Sequence, residues 1–130
     1  MKELKVGLKG HSTIQVTEEK LAANVGSGDV LVFATPMMIA GMEGTAADSV
    51  KEYLEEVKTT VGMELNISHV AATPVGMHVR FESELTDING KVLTFCLAAY
   101  DEAGLIGEGT HKRAVVDKAR FEERAAAKKG

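Results

Sequence analysis

The sequence predicts an α+β domain, a curved antiparallel sheet with one long helix packed on its face. Three observations carry that expectation. Apolar residues recur at three- and four-residue steps from Ile39 to Val57, the period changes to two from Thr60 onward, and the later apolar runs are joined by short turns such as Asp87-Ile88-Asn89-Gly90. The first pattern is one face of a helix, the second is the pleat of a strand, and Asn-Gly is the favoured hairpin pair. Strands in hairpins after one long helix leave that helix a sheet face to cover. A chain of 130 residues reads as a single domain, 1–130. Domains cluster at roughly 100–150 residues and bury on the order of two-thirds of their unfolded surface.

The elements follow in order. One strand is expected around Ser12–Val16, a fifth for the sheet. Thr17–Asn24 reads as a short helix, because Thr17 can cap it and Glu18 and Glu19 suit the positive end of its dipole. Gly26-Ser27-Gly28-Asp29 is a turn, and Val30–Phe33 is an apolar approach to the next element. Thr35-Pro36 opens the long helix, with Thr35 as N-cap and Pro36 at the first helical position. The helix is expected to reach about Glu56, with Ile39, Ala46, Ala47, Val50, Leu54 and Val57 on its buried face.

Beyond Thr60, Met63, Leu65, Ile67, His69 and Ala71 share one strand face, and Pro74-Val75-Gly76 interrupts the pattern. Met77, Val79, Phe81, Ser83 and Leu85 then share the next. Val92–Tyr100 is apolar on both faces, which suits a central strand. Asp101-Glu102-Ala103-Gly104 turns into a last strand, Leu105–Val116, and Asp117–Lys129 is a short charged helix.

Composition removes several classes of function. Fifteen Lys and Arg against nineteen Asp and Glu leave a net charge of −4, which argues against a nucleic-acid partner. Hydrophobic residues at 45% and charged residues at 26% exclude disorder as the main state. Cys96 is the single cysteine, so no intrachain disulfide forms, and no Cys/His cluster has the spacing of a zinc site. No apolar run approaches the roughly 18 residues of a membrane span, and Met1-Lys2-Glu3-Leu4-Lys5 lacks a signal-peptide core. The expectation is no membrane partner and a cytoplasmic location.

Two ionisable residues fall on apolar faces. Glu43 lies four residues after Ile39 and three before Ala46, in the helix stripe, and His69 lies on the apolar face of its strand. Both are expected in the layer between helix and sheet. A buried carboxylate needs a partner, and an imidazole beside it makes a usable acid–base pair. The same pattern also fits a satisfied polar pair in a core, or a stripe-end residue reaching solvent. Thr35 is a third candidate, although an N-cap hydroxyl ordinarily just accepts a backbone N–H. Eight residues of helix from Thr35 to Glu43 rise about 12 Å. An imidazole with hydrogen bonds of about 2.8 Å on each side spans much of that gap. Free N–H groups at the helix start could polarise a carbonyl.

Gly62 is either a strand-entry glycine or a place where backbone approaches a ligand. Gly107 and Gly109 read as a bend in the sheet. His111-Lys112-Arg113 is a basic group that is either a solvated strand end or a hold for an anionic substrate. His11 and His78 read as surface residues, and Cys96 as a buried small hydrophobe.

Several motifs together resemble a known family. They are Val32-Phe33-Ala34-Thr35-Pro36-Met37-Met38, Gly41-Met42-Glu43, Thr60-Val61-Gly62, His69-Val70-Ala71-Ala72-Thr73-Pro74-Val75-Gly76 and Gly107-Glu108-Gly109-Thr110-His111-Lys112-Arg113. This set is similar to the fluoroacetyl-CoA thioesterase-like branch of the hot-dog-fold thioesterases, over about residues 6–125. The resemblance implies a long helix wrapped by a five-stranded antiparallel sheet, and a homodimer with active sites near the subunit interface. It implies hydrolysis of an acyl-CoA to a free acid and coenzyme A, with coenzyme A present only as part of the substrate and no metal. The family's threonine, glutamate and histidine fall on Thr35, Glu43 and His69, its backbone-contacting glycine on Gly62 and its late arginine on Arg113. One departure stands out. The fluoroacetyl-specific pattern has an aromatic residue shortly before the Val-Phe-Ala-Thr motif, where this sequence has Asp29. The resemblance therefore implies thioester hydrolysis without implying the fluoroacetyl group.

The leading expectation is an acyl-CoA thioesterase in which His69, oriented by Glu43, activates a water or the Thr35 hydroxyl, and Arg113 holds part of the substrate. A non-catalytic acyl-CoA-binding or regulatory module on the same fold is the alternative, and a dehydratase acting on hydroxyacyl thioesters is a third.

Overall fold

Alternating side chains from Lys58 to Asp117 form four of the five strands, as a computed structural model describing residues 3–130 shows. Met1 and Lys2, on which part of the signal-peptide expectation falls, lie outside the described residues. The order is β1 (Lys9–Gln15), a 3₁₀ turn (Glu18–Lys20), α1 (Ala22–Val25), α2 (Thr35–Lys51), β2 (Lys58–His69), β3 (His78–Asn89), β4 (Val92–Asp101), β5 (Gly104–Asp117) and α3 (Lys118–Ala126). The strands make one antiparallel sheet in the order β1-β3-β4-β5-β2. β4 is central, as its two apolar faces predict. Among the described residues β2 pairs only with β5 and forms an edge.

The core lies between α2 and the sheet. Met38, Met42, Ala46 and Val50 recur every four residues and are each 0% exposed. They join one apolar cluster with Val79, Phe81 and Leu85 of β3 and with Phe95, Leu97 and Ala99 of β4. The buried face is therefore rotated from the expected one: Ile39 and Ala47 are half-buried flanks and Val57 is exposed. The helix also stops at Lys51 rather than Glu56. Tyr53 and Leu54 make i→i−3 bonds to Val50 and Lys51, which tighten the last turn and end it. Thr45 tolerates burial because its hydroxyl donates to the Gly41 carbonyl at 2.8 Å and lies 2.6 Å from Ser12 Oγ. At Gly41, a Cβ would sit 2.3 Å from the Phe81 ring, so a bare backbone is what lets α2 lie this close to β3.

Other boundaries moved for identifiable reasons. Thr17–Asn24 is not one helix: Leu21 is buried and bridges to Phe33, which splits the segment into the 3₁₀ turn and α1. Thr35 is the first helical residue and Ala34 the N-cap, with no side-chain capping bond. Cys96 is exposed, because Phe95 and Leu97 take the core side of β4 and the pleat turns Cys96 outward. On β2 the expected apolar face is largely open. Met63 is 55% and Leu65 41% exposed, because α2 packs chiefly on β3 and β1 and the edge strand lies beyond it. A bulge between Gly62 and Glu64 leaves Met63 without a partner on β5.

Candidate active site

The start of α2 and the end of β2 carry the first group. Phe33 donates its N–H to the Thr73 carbonyl at 2.8 Å, and Ala34 donates to Lys20 at 2.9 Å, so the chain enters the helix on a fixed path. Thr35 follows at the first helical position, and its Oγ1 lies 2.6 Å from His69 Nδ1. Burial holds the His69 imidazole below its ordinary value of 6.5, against a smaller opposing effect from the Ala71 backbone. His69 is therefore a neutral base near pH 7, touching a hydroxyl. Its other nitrogen, Nε2, is buried without a hydrogen-bond partner among the described residues. The pair opens on a cleft of about 350 Å³ walled by Val30, Val32, Phe33, Val70, Ala71 and Ala72. Asp29 is exposed on the loop forming one wall of this cleft, between Gly28 and Val30.

The helix start contributes less carbonyl polarisation than expected. Pro36 has no N–H, and the N–H groups of Met37 and Met38 both donate to the Ala34 carbonyl at 3.0 Å. The Thr35 amide is what remains of the first turn.

The middle of α2 and the far part of β2 carry the second group. Glu43 is not in the core stripe; it lies beside Met42 on the flank, with its side chain 35% exposed. Its Oε2 is 3.6 Å from Arg113 Nη1 and 3.9 Å from His111 Nε2. Gly62 leaves room for it, since a Cβ there would lie 2.6 Å from Oε2. Arg113 is buried, and its guanidinium is largely committed within the chain. Nε donates to Thr60 Oγ1 at 2.8 Å, Nη2 to the Thr60 carbonyl at 3.0 Å, and Nη1 to His111 Nε2 at 3.1 Å.

Within one chain, Thr35 and His69 come together, and so do Glu43, Gly62 and Arg113, but the two groups stand apart. Gly62, which touches Glu43, lies seven positions before His69, roughly 20 Å along β2. The sheltered Glu43–His69 layer expected from periodicity does not form inside a single chain. Two residues of the second group go beyond the sequence reading: Thr60 carries no role there, and His111 figures only in a basic group, as a solvated strand end or a hold for an anionic substrate, not as a buried partner of Arg113. Counting back by twos from Val115 through Arg113 puts His111 on the inward face, which is the signal that could have found it. A larger groove of about 750 Å³ crosses the opposite sheet face, past His11, Glu82, Cys96 and Glu108, and none of the candidate residues line it.

Comparison with known proteins matches this geometry to a class. A structure of the fluoroacetyl-CoA thioesterase FlK superposes with a TM-score of 0.92 at 28% identity, covering 98% of both chains. A thioesterase superfamily member from Thermus thermophilus superposes with a TM-score of 0.90 at 27% identity, over 99% of this chain and 96% of that one. A hot-dog-like protein from Thermanaerovibrio acidaminovorans shares the fold, with a TM-score of 0.87 at 21% identity over 96% and 93%. The class is the hot-dog fold of the thioesterases. A family model for the fluoroacetyl-CoA-specific thioesterase, FlK, matches residues 16–119, and this chain belongs to that family. The fluoroacetyl-CoA thioesterase of Streptantibioticus cattleyicolor is 37% identical over 90 residues, which span 69% of this chain and 65% of that relative's length.

Proposed function

We propose that this chain is one protomer of a homodimeric thioesterase that hydrolyses a short acyl-CoA to the free acid and coenzyme A. The observation that carries the proposal is the 2.6 Å contact between Thr35 Oγ1 and His69 Nδ1 at the mouth of the cleft. A neutral imidazole takes the hydroxyl proton at Nδ1 as Oγ1 attacks the thioester carbonyl. The carbon–sulfur bond breaks, the proton passes to the coenzyme A thiolate, and water then cleaves the acyl-threonine with His69 again the base. Coenzyme A enters only as part of the substrate, and no metal is used.

With Nδ1 as acceptor, Nε2 carries the remaining proton and needs an acceptor of its own, as a catalytic histidine does beside its carboxylate. Glu43 of a second copy supplies it once the ring turns outward, since Nε2 is covered within one chain. β2 is an unpaired edge with exposed Met63 and Leu65, which favours pairing with its own copy. A two-fold axis crossing β2 midway between Gly62 and His69 sets each Thr35–His69 pair against the Glu43–Arg113 group of the other chain. Glu43 then orients the imidazole, Arg113 holds Glu43, and the backbone at Gly62 faces the thioester. Among the described residues no helix is long and apolar enough to cross a membrane. The proposal includes a cytoplasmic site of action, which suits a single unpaired cysteine, and no membrane or nucleic-acid partner.

A panel of acyl-CoAs, fluoroacetyl-CoA among them, tests the activity by thiol release. Glu43→Gln and His69→Ala should each be inactive. Mixed after dissociation and reassociation, they should regain about a quarter of the wild-type sites, because mixed dimers rebuild one intact site in two. No recovery removes the shared site. Tight acyl-CoA binding with no turnover by the wild type leaves the non-catalytic module instead.

A further inference from the structure

We infer that His111 is a positioning residue for the Glu43 carboxylate, acting through Arg113 as a neutral imidazole protonated on Nδ1; this rests on the thioesterase reading above. His111 is 1% exposed. Its Nδ1 lies 2.9 Å from the Glu64 carbonyl oxygen. A carbonyl only accepts, so Nδ1 carries the hydrogen. Its Nε2 lies 3.1 Å from Arg113 Nη1, and a guanidinium only donates, so Nε2 is bare and accepts. The two contacts select the same tautomer, and the Arg113 contact excludes the imidazolium, whose Nε2 would be a donor facing a donor.

Glu43 Oε2 lies 3.6 Å from that same Nη1 and 3.9 Å from Nε2. The three atoms form a compact triangle in which Nη1 faces both the imidazole lone pair and the carboxylate, so the direction that the lone pair gives Nη1 sets where the carboxylate rests. Protonation of Nε2 reverses the arrangement. It takes away the acceptor of Arg113, places two cations side by side and offers Glu43 a new donor. The carboxylate then shifts from Arg113 toward His111.

The groups facing the ring come from four strands or helices. They are Glu43 from α2, the Glu64 carbonyl from β2, the Phe95 ring from β4 at a centroid distance of 6.2 Å, and Arg113 on β5 itself. Burial lowers the His111 pKa most. The Glu64 backbone opposes it, Arg113 lowers it further, and Glu43 opposes. His111 therefore stays neutral near pH 7, in the state that holds Arg113.

The test compares pH profiles of kcat/KM for thioester hydrolysis in the wild type, His111→Gln and His111→Asn. A glutamine amide oxygen reaches the Nε2 position and accepts from Arg113, and it does not titrate. An asparagine amide replaces only the Nδ1 donor and stops short of Arg113. The wild-type acid limb should have a limiting slope of two, because His69 and His111 must both be neutral. His111→Gln should show a slope of one and exceed His111→Asn roughly 10-fold at the plateau, chiefly in kcat. A slope of two in His111→Gln, or equal activity of the two variants, overturns the role. Nitrogen-15 NMR of the wild-type imidazole reads the tautomer even if a variant fails to fold; an Nε2-protonated or charged His111 at pH 7 also overturns it. No turnover by the wild type removes the thioesterase reading itself, which is distinguishable from loss of the His111 role alone.

Discussion

Gly62→Ala separates the site from the fold. The added methyl carbon would lie 2.6 Å from Glu43 Oε2, 3.4 Å from His111 Cε1 and 3.5 Å from Arg113 Nη1. The last two are ordinary contacts. Restoring an ordinary 3.4 Å to Oε2 requires that oxygen to retreat about 0.8 Å. The carboxylate is the end of a flexible, partly exposed side chain, so the backbone need not move. Alanine in place of glycine also lowers the entropy of the unfolded chain, worth about 0.4–1 kcal/mol. The thermal midpoint should therefore stay within about 3 °C of wild type. Activity should not. A misplacement near 1 Å in a reacting group costs on the order of 100-fold, so kcat/KM should fall about 30- to 100-fold. Thiol release from the best acyl-CoA, read beside a thermal melt, gives both numbers. Wild-type kcat/KM with an unchanged midpoint would refute the placement of Glu43 in the reaction.

Gly41→Ala should do the opposite, because the Phe81 ring at 2.3 Å has nowhere to go; overpacking outweighs the gain in helix propensity, and the midpoint should drop by about 6–10 °C. An unchanged melt would show that α2 is not held this close. Stability should also fall as pH drops below 6.5. His69 and His111 both have folded-state pKa values lowered by burial, so between those values and 6.5 the unfolded chain binds more protons and acid favours unfolding. Midpoints measured from pH 7.5 to 5 should decline, and less steeply in His111→Gln. Leu65→Lys should yield a folded monomer by light scattering with unchanged far-ultraviolet circular dichroism and no thioesterase activity; an active monomer would refute the shared site.

Local patterns were legible where a local backbone rule decides them. The period-two run in β3, the two-faced apolar run of β4 and the Thr35-Pro36 helix start needed nothing from the rest of the chain. Which row of α2 is buried is a tertiary matter. Met38 and Met42 sit one residue before Ile39 and Glu43, and only the position of the helix over β3 chooses between the two rows. That choice moved Glu43 from the core to the flank. The inward row of β5 was hidden for another reason. Gly107 and Gly109 carry no side chains there, so no apolar stripe announces that His111 and Arg113 are buried. A Cβ at Gly109 would lie 2.0 Å from the Asn66 carbonyl, which is why the row is bare. The site residues themselves were readable chiefly through resemblance, since periodicity placed Glu43 and His69 in one layer where a single chain keeps them apart.

The edge position of β2 ties the number of working centres in the proposed dimer to chain concentration. Dilution past the dissociation constant would dismantle every centre while each protomer stayed folded. Specific activity would then fall with enzyme concentration and return, second order in protein, when the solution is concentrated again.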